Sequence, residues 1–197
     1  MSAGYGRFWS HLHFEGNIEP TLTQQTAVAQ VGYFFRNDLS LTLGGGAIVN
    51  GEMTGGGLSL DVGTGFVASL RLTWRFLDEK GARPFMSTSL SVSFARSPFR
   101  DDAGVDGYIF GSDVRGALTV GYTFFDVWQV YLSPRVFGGP VFIGYPDRNL
   151  QGRDRYFVQA GMGMSFLLPR GFTIYVDGSP AGEQAISAGL AYFIPVT

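Results

Sequence analysis

The chain has 197 residues, enough for one domain, with 45% hydrophobic residues and a mean hydropathy of +0.12. A formal net charge of −2 argues against a nucleic-acid partner, and the lack of cysteine excludes disulfides and thiolate metal sites. No stretch approaches the roughly 18 unbroken apolar residues of a membrane helix, so the apolar character is distributed.

Ten strands are predicted, and the chain is expected to be a single domain over residues 1–197. The first, 5–15, holds Arg7, His11, His13 and Glu15 in one phase. The second and third, 22–35 and 39–50, lead to the fourth, 58–76, where the pattern is fullest. One phase there reads Leu58, Leu60, Val62, Thr64, Phe66, Ala68, Leu70, Leu72, Trp74 and Phe76; the other includes Ser59, Asp61, Gly63, Arg71 and Arg75. Successive side chains of a strand point to opposite faces, so one face suits oil and the other is polar or tiny. A soluble sandwich would need apolar side chains on its inner face. This alternation instead predicts a barrel with lipid outside and a polar lumen. Leu60, Val62, Leu70 and Leu118 are expected to face lipid.

The fifth strand, 85–96, turns Ser87, Ser89, Ser91 and Ser93 inward, and the sixth, 113–125, adds Asp113 and Arg115. The seventh, 127–137, contributes Gln129, Tyr131, Arg135 and Phe137; the eighth, 153–168, Arg153 and Arg155; the ninth, 172–177, Asp177. The tenth runs over 184–194. Connections alternate between short ones (36–38, near 126, 169–171) and longer stretches rich in Gly, Pro and Asp (51–57, 97–112, 138–152). Both termini fall on the short-turn side, as in outer-membrane barrels, where short turns are periplasmic. Aromatics fall in two belts. Phe8, Trp9, Phe35, Trp74, Phe124 and Trp128 are expected near the short turns, and Phe14, Phe94, Phe110, Phe137 and Tyr156 near the long loops.

The lumen is expected to hold seven Arg (7, 71, 75, 115, 135, 153, 155) against four acids (Glu15, Asp61, Asp113, Asp177). Paired, these would form a plug; unpaired, the Arg excess would favour anions in a constriction. His11, His13 and Glu15 form one column at about 7 Å spacing. That is long for one metal, and no metal or cofactor is expected. A general base with Ser89 as nucleophile would make a hydrolase, but no motif for one is present. The 97–112 loop carries Asp and Gly without a calcium-loop pattern. The chain opens without an apolar leader, and the export signal is expected to have been removed.

Ser187-Ala-Gly189-Leu-Ala-Tyr192-Phe-Ile194 resembles the terminal β-signal of outer-membrane proteins, with Ser187, Gly189, Tyr192 and Ile194 in its slots. With the whole-chain pattern, the sequence resembles the small outer-membrane β-barrel proteins of Gram-negative bacteria. The resemblance implies an all-β antiparallel barrel in the outer membrane. Its partners would be membrane lipids, lipopolysaccharide and the assembly machinery. Three functions follow: a narrow pore with weak anion preference and no enzymatic role, a plugged structural or adhesive barrel, and more remotely a hydrolase.

Overall fold

Strands form where small and large residues alternate, and each must pair along both edges because lipid satisfies no backbone group. The structure, a computed structural model, describes residues 1–36 and 38–192. Its strands are β1 (Ser2–Phe14), β2 (Thr21–Phe34), β3 (Leu39–Gly55), β4 (Leu58–Val62), β5 (Gly65–Leu77), β6 (Phe85–Asp101) and β7 (Asp106–Phe124). They continue with β8 (Trp128–Gly138), β9 (Pro140–Gly144), β10 (Asn149–Asp154), β11 (Val158–Leu167), β12 (Phe172–Ala181) and β13 (Gln184–Tyr192). The pairs β4/β5, β8/β9 and β10/β11 are each one interrupted stave, so the thirteen strands make ten staves.

At the short-turn end the antiparallel pairings run β1–β2–β3–β5–β6–β7–β8–β11–β12–β13 and return to β1. At the opposite end the circuit is shorter. It runs β1–β2–β3–β4–β6–β7–β9–β10 and closes through Leu12↔Asp154, His13↔Arg153 and Phe14↔Gly152. The β12–β13 hairpin turns early, at Gly182 (φ +85) and Glu183, and drops out of the circuit. Ten staves therefore become eight on the way outward. Eight strands enclose a space that side chains just fill.

The outer wall of the ten-stave half is apolar. Leu70 is 44% exposed and Leu118 39%, and Phe66, Leu72, Leu90, Leu132, Val136, Met162, Ile174 and Leu190 face outward with them. An aromatic girdle marks its short-turn edge. Tyr122–Phe124, Phe124–Trp128 and Phe172–Tyr192 have ring centroids 5.0, 5.7 and 4.8 Å apart, and Trp128 stacks on Phe166. A membrane needs only about 9–11 residues per strand. β3, β6 and β7 have 17, 17 and 19, so they continue beyond it. The expected loops 51–57, 97–112 and 138–152 are thus mostly paired strand. Gly55, Gly56, Gly57 and Gly104, all at positive φ, mark the tight ends of the hairpins.

In the eight-stave half the polarity reverses. Leu12, Phe14, Leu22, Met53, Leu60, Val62, Phe99, Ile109, Val141 and Ile143 fill the interior. Phe14 is 1% exposed, and Met53 and Ile143 are fully buried. A barrel wall standing in water buries its apolar phase; one standing in lipid displays it. Leu60 and Val62, expected against lipid, belong to this core at 2% and 1% exposure. The reversal on this stave lies at Gly63 and Thr64. They separate β4 from β5 opposite the irregular stretch of β3 at Val49 and Asn50, and Thr64 Oγ1 donates to the Val49 carbonyl (3.2 Å). An unpaired residue in a ladder swaps the two faces.

Candidate functional site

The lumen divides into three layers. The outermost is the apolar plug, fitted by glycines. A Cβ on Gly152 would stand 2.5 Å from the Phe14 ring, and one on Gly107 2.4 Å from Phe99, so only hydrogen there lets the rings lie flat against the wall. Beneath the plug lies a cavity of about 190 Å³, with Ile48, Val67 and Ile109 above and Asp113, Arg115, Asp154 and Glu183 toward its floor. Ser97 Oγ, buried at this level, has no hydrogen-bond partner among the described residues.

The middle layer is polar and interlocked. Arg115 donates to Glu183 Oε2 (2.9 Å), Asp113 Oδ2 (3.2 Å) and Gln159 Oε1 (3.4 Å), and lies 4.9 Å over the Phe137 ring. Gln159 donates in turn to the Glu183 carbonyl, fixing the β12–β13 turn against β11. Ser10 donates to Asp154 (2.6 Å). Lower down, Arg135 grips both Asp177 oxygens (3.0 and 2.8 Å) and reaches Ser179 (3.3 Å), while Tyr131 donates to Asp177 (2.9 Å). Both bonds to Asp177 come from Nη2 alone, and the charge on each partner makes them stronger than neutral hydrogen bonds. Gly161 and Gly163 leave room for them: a Cβ would meet the Arg135 guanidinium at 2.7 Å and the Tyr131 hydroxyl at 2.3 Å.

The innermost layer is a polar chamber of about 500 Å³ toward the short-turn end. Arg71, Ser87, Ser89, Ser91, Gln129 and Tyr175 line it, and Tyr131, Arg135 and Asp177 bound it. Arg75 stands nearer the mouth, 4.9 Å over the Phe85 ring.

Eight of the expected lumen residues are therefore inside: Arg71, Arg75, Ser89, Ser91, Arg115, Tyr131, Arg135 and Asp177. Seven are outside. On β1 the inward residues are Ser10, Leu12 and Phe14, so Arg7, His11, His13 and Glu15 take the outer face. Charge was expected inside, but the plug claims the alternate phase. Asp61 is outward because the faces swap at Gly63 and Thr64. Arg153 and Arg155 are outward because residues 155–157 break the stave between Asp154 and Val158, and Gly152 and Gln159 are the inward residues on either side. Asp154 and Glu183 were not foreseen; one lies beside that break and the other in a hairpin turn, where alternation gives no signal. Phe8 and Phe14, expected in the belts, also face the interior, and so does Phe137, whose strand phase pointed inward.

The inward formal charges are then four Arg (71, 75, 115, 135) and four acids (Asp113, Asp154, Asp177, Glu183). No group of three or more His, Cys, Asp or Glu able to hold a metal exists among the described residues. On the outer face, His13 Nδ1 lies 3.3 Å from Glu19, which also accepts from Arg155 (2.8 Å), and His11 Nδ1 lies 3.0 Å from the Thr21 hydroxyl. These are two separate pairs. Among the described residues no carboxylate orients His11, whose other contact is the Tyr156 ring at 5.9 Å. Ser89 is inside the barrel and does not meet either histidine.

A closed ring of antiparallel staves, an outward apolar wall and an aromatic girdle define an integral outer-membrane β-barrel. Solved structures agree at the level of fold. The outer-membrane protease OmpT from Escherichia coli has a TM-score of 0.53 at 10% identity, covering 98% of this chain and 97% of that one. The translocator domain of the autotransporter NalP from Neisseria meningitidis has 0.52 at 10%, covering 98% and 88%. The β domain of the Bordetella autotransporter BrkA has 0.52 at 12%, covering 98% and 99%. No family model matches the chain, and no curated protein matches it significantly.

Proposed function

We propose that this protein is a closed outer-membrane barrel that presents its eight-stave extension for surface contacts and does not conduct. One observation carries this reading: the outer lumen is filled by Leu12, Phe14, Met53, Val62 and Ile143, each at most 1% exposed. Ions cross a constriction only when polar groups or water replace their hydration shell, and this layer offers neither. The extension's outer face would make the contacts, with the exposed Arg100–Asp106 pair (2.8 Å) and the stacked Phe110 and Phe142. Around the rim, Arg153 and Arg155 beside Phe157 and Tyr156 would meet lipopolysaccharide.

Planar-bilayer recording tests this reading. No conductance is expected from the folded protein. Steady channels would overturn it and return the case to a narrow pore. That pore reading draws on the polar inner half. Its weak anion preference, argued from seven inward Arg against four acids, loses its basis when four face four. The hydrolase reading draws on the His11–Thr21 pair. Phospholipid or peptide cleavage lost in His11→Ala would support it.

A further inference from the structure

The balance of four and four conceals a separation. Toward the plug, Arg115 stands among three acids, Asp113, Asp154 and Glu183. At the next level Arg135 and Asp177 neutralise one another. Of the two remaining guanidiniums, Arg71 stands at the level of that pair, within electrostatic reach of Arg135, Arg115 and Asp177, and Arg75 lies nearer the short-turn end. The lumen is thus formally negative in the middle and positive in the inner chamber.

Arg71 differs from the other inward arginines. Arg115 and Arg135 are held by carboxylates, and Arg75 lies on an aromatic face. Arg71 has no hydrogen bond, ion pair or ring contact with any described residue. Its guanidinium lines the chamber wall. Its neighbours across the ladders are Thr42 on β3 and Ser91 on β6, with the Thr73–Ser89 pair one step along the same face. A guanidinium presents five donors in a planar fork that matches carboxylate or phosphate oxygens. Serine hydroxyls can add donors to the same anion, Ser91 by turning from its long bond to the Arg115 carbonyl (3.5 Å). The inward residues of β5 and β6 near it are Ser69, Thr73, Ser89, Ser91 and Ser93, and Asp177, the acid within electrostatic reach of Arg71, is already held by Arg135 and Tyr131.

We infer that the inner chamber is a binding site for a small solute bearing a phosphate or carboxylate group, held by Arg71 with the Ser89 and Ser91 hydroxyls. The occupant enters from the short-turn side. It stops at the Arg135–Asp177 layer, beyond which Asp113 and Glu183 repel it. Binding here goes beyond the closed-barrel reading and does not require the plug to be shut.

Inorganic phosphate is the probe. The side-chain Nε–H signal of Arg71 and the amides of Ser89 and Ser91 are followed by NMR in micelles at constant ionic strength. Saturable shifts are expected in the wild type, with apparent affinity reduced at least tenfold in Arg71→Gln and partly kept in Arg71→Lys. Ser89→Ala with Ser91→Ala, which keeps every charge, should weaken binding severalfold; it also serves if Arg71→Gln fails to fold. Equal shifts with chloride alone, or unchanged titration in Arg71→Gln, would overturn the site. A repeat in nanodiscs with and without anionic lipid separates sources. Shifts that follow lipid composition without added phosphate would place a headgroup at Arg71 and refute the solute. A conducting wild type with normal phosphate binding would remove the closed-barrel reading and leave this one standing.

Discussion

A single side chain here is judged by which medium lies beyond its Cα. Leu118 and Ile143 are both apolar strand residues, yet one is 39% exposed on the outer wall and the other fully buried in the plug. Arg in place of Leu118 puts a charge against lipid and should cost roughly 2–4 kcal/mol of barrel stability. Urea titration in lipid vesicles measures it, and a cost near zero would show that Leu118 meets water. Ala in place of Ile143 removes packing without adding charge and should cost about 2–5 kcal/mol, the spread reflecting how far the plug can collapse. The polar layer follows other rules. Asn in place of Asp177 leaves Arg135 with an uncharged partner and Tyr131 with a weaker acceptor. Because the chamber beside them is polar and open to water, the loss should be moderate, roughly 1–3 kcal/mol. A loss beyond about 5 kcal/mol would mean that this layer is dry.

At the scale of the element, period-2 alternation made the strands legible and left their faces partly undetermined. Alternation separates two phases without saying which is inside. β5 was assigned correctly: Arg71 and Arg75 oppose Leu70, Leu72 and Trp74, and guanidiniums on the lipid wall would be costly. β1 gives no such cue, since His11 and His13 alternate with Leu12 and Phe14 above the membrane, where charge belongs outside. β4 and β10 fail for a different reason. The period-2 phase of 58–76 keeps its register in sequence while the face inverts at Gly63 and Thr64, and Thr64, a single polar residue in the apolar phase, is the only trace of that swap. The ten staves were legible because each spans the membrane; the narrowing to eight was not, because it depends on which strand β10 meets. The last strand makes one more test. Gly189 and Ser187 sit opposite Gly4 and Gly6 of β1, so this strand closes the ring, while Ile194 lies outside the described residues. Changing Tyr192 and Ile194 together to Ser should reduce insertion in cells, measured as the fraction resistant to urea extraction. Undiminished insertion would dismiss the terminal-signal reading.

The whole molecule is two barrels of opposite polarity on one set of strands. The inner half shows apolar residues to lipid and keeps ions inside; the outer half keeps apolar residues inside and shows charge to water. Each half enforces the other. The eight-stave circuit is narrow enough to be filled, and the filling seals a wider ring that could hold water. The internal charges are stacked in series, positive in the chamber and negative beneath the plug. Such an arrangement should be silent while the seal holds and electrically asymmetric once it opens. A variant carrying Phe14→Ser, Phe99→Ser and Ile143→Ser together removes much of the seal and should conduct. Ions driven from one end then meet the charged zones in the opposite order to ions driven from the other. The current–voltage curve should therefore rectify in dilute salt and straighten toward 1 M, where the Debye length falls to about 3 Å. Adding Arg71→Gln and Arg75→Gln should straighten it at low salt as well. A sealed triple variant would show that the plug is not the barrier, and a curve already linear in dilute salt would refute the separation of charge along the lumen.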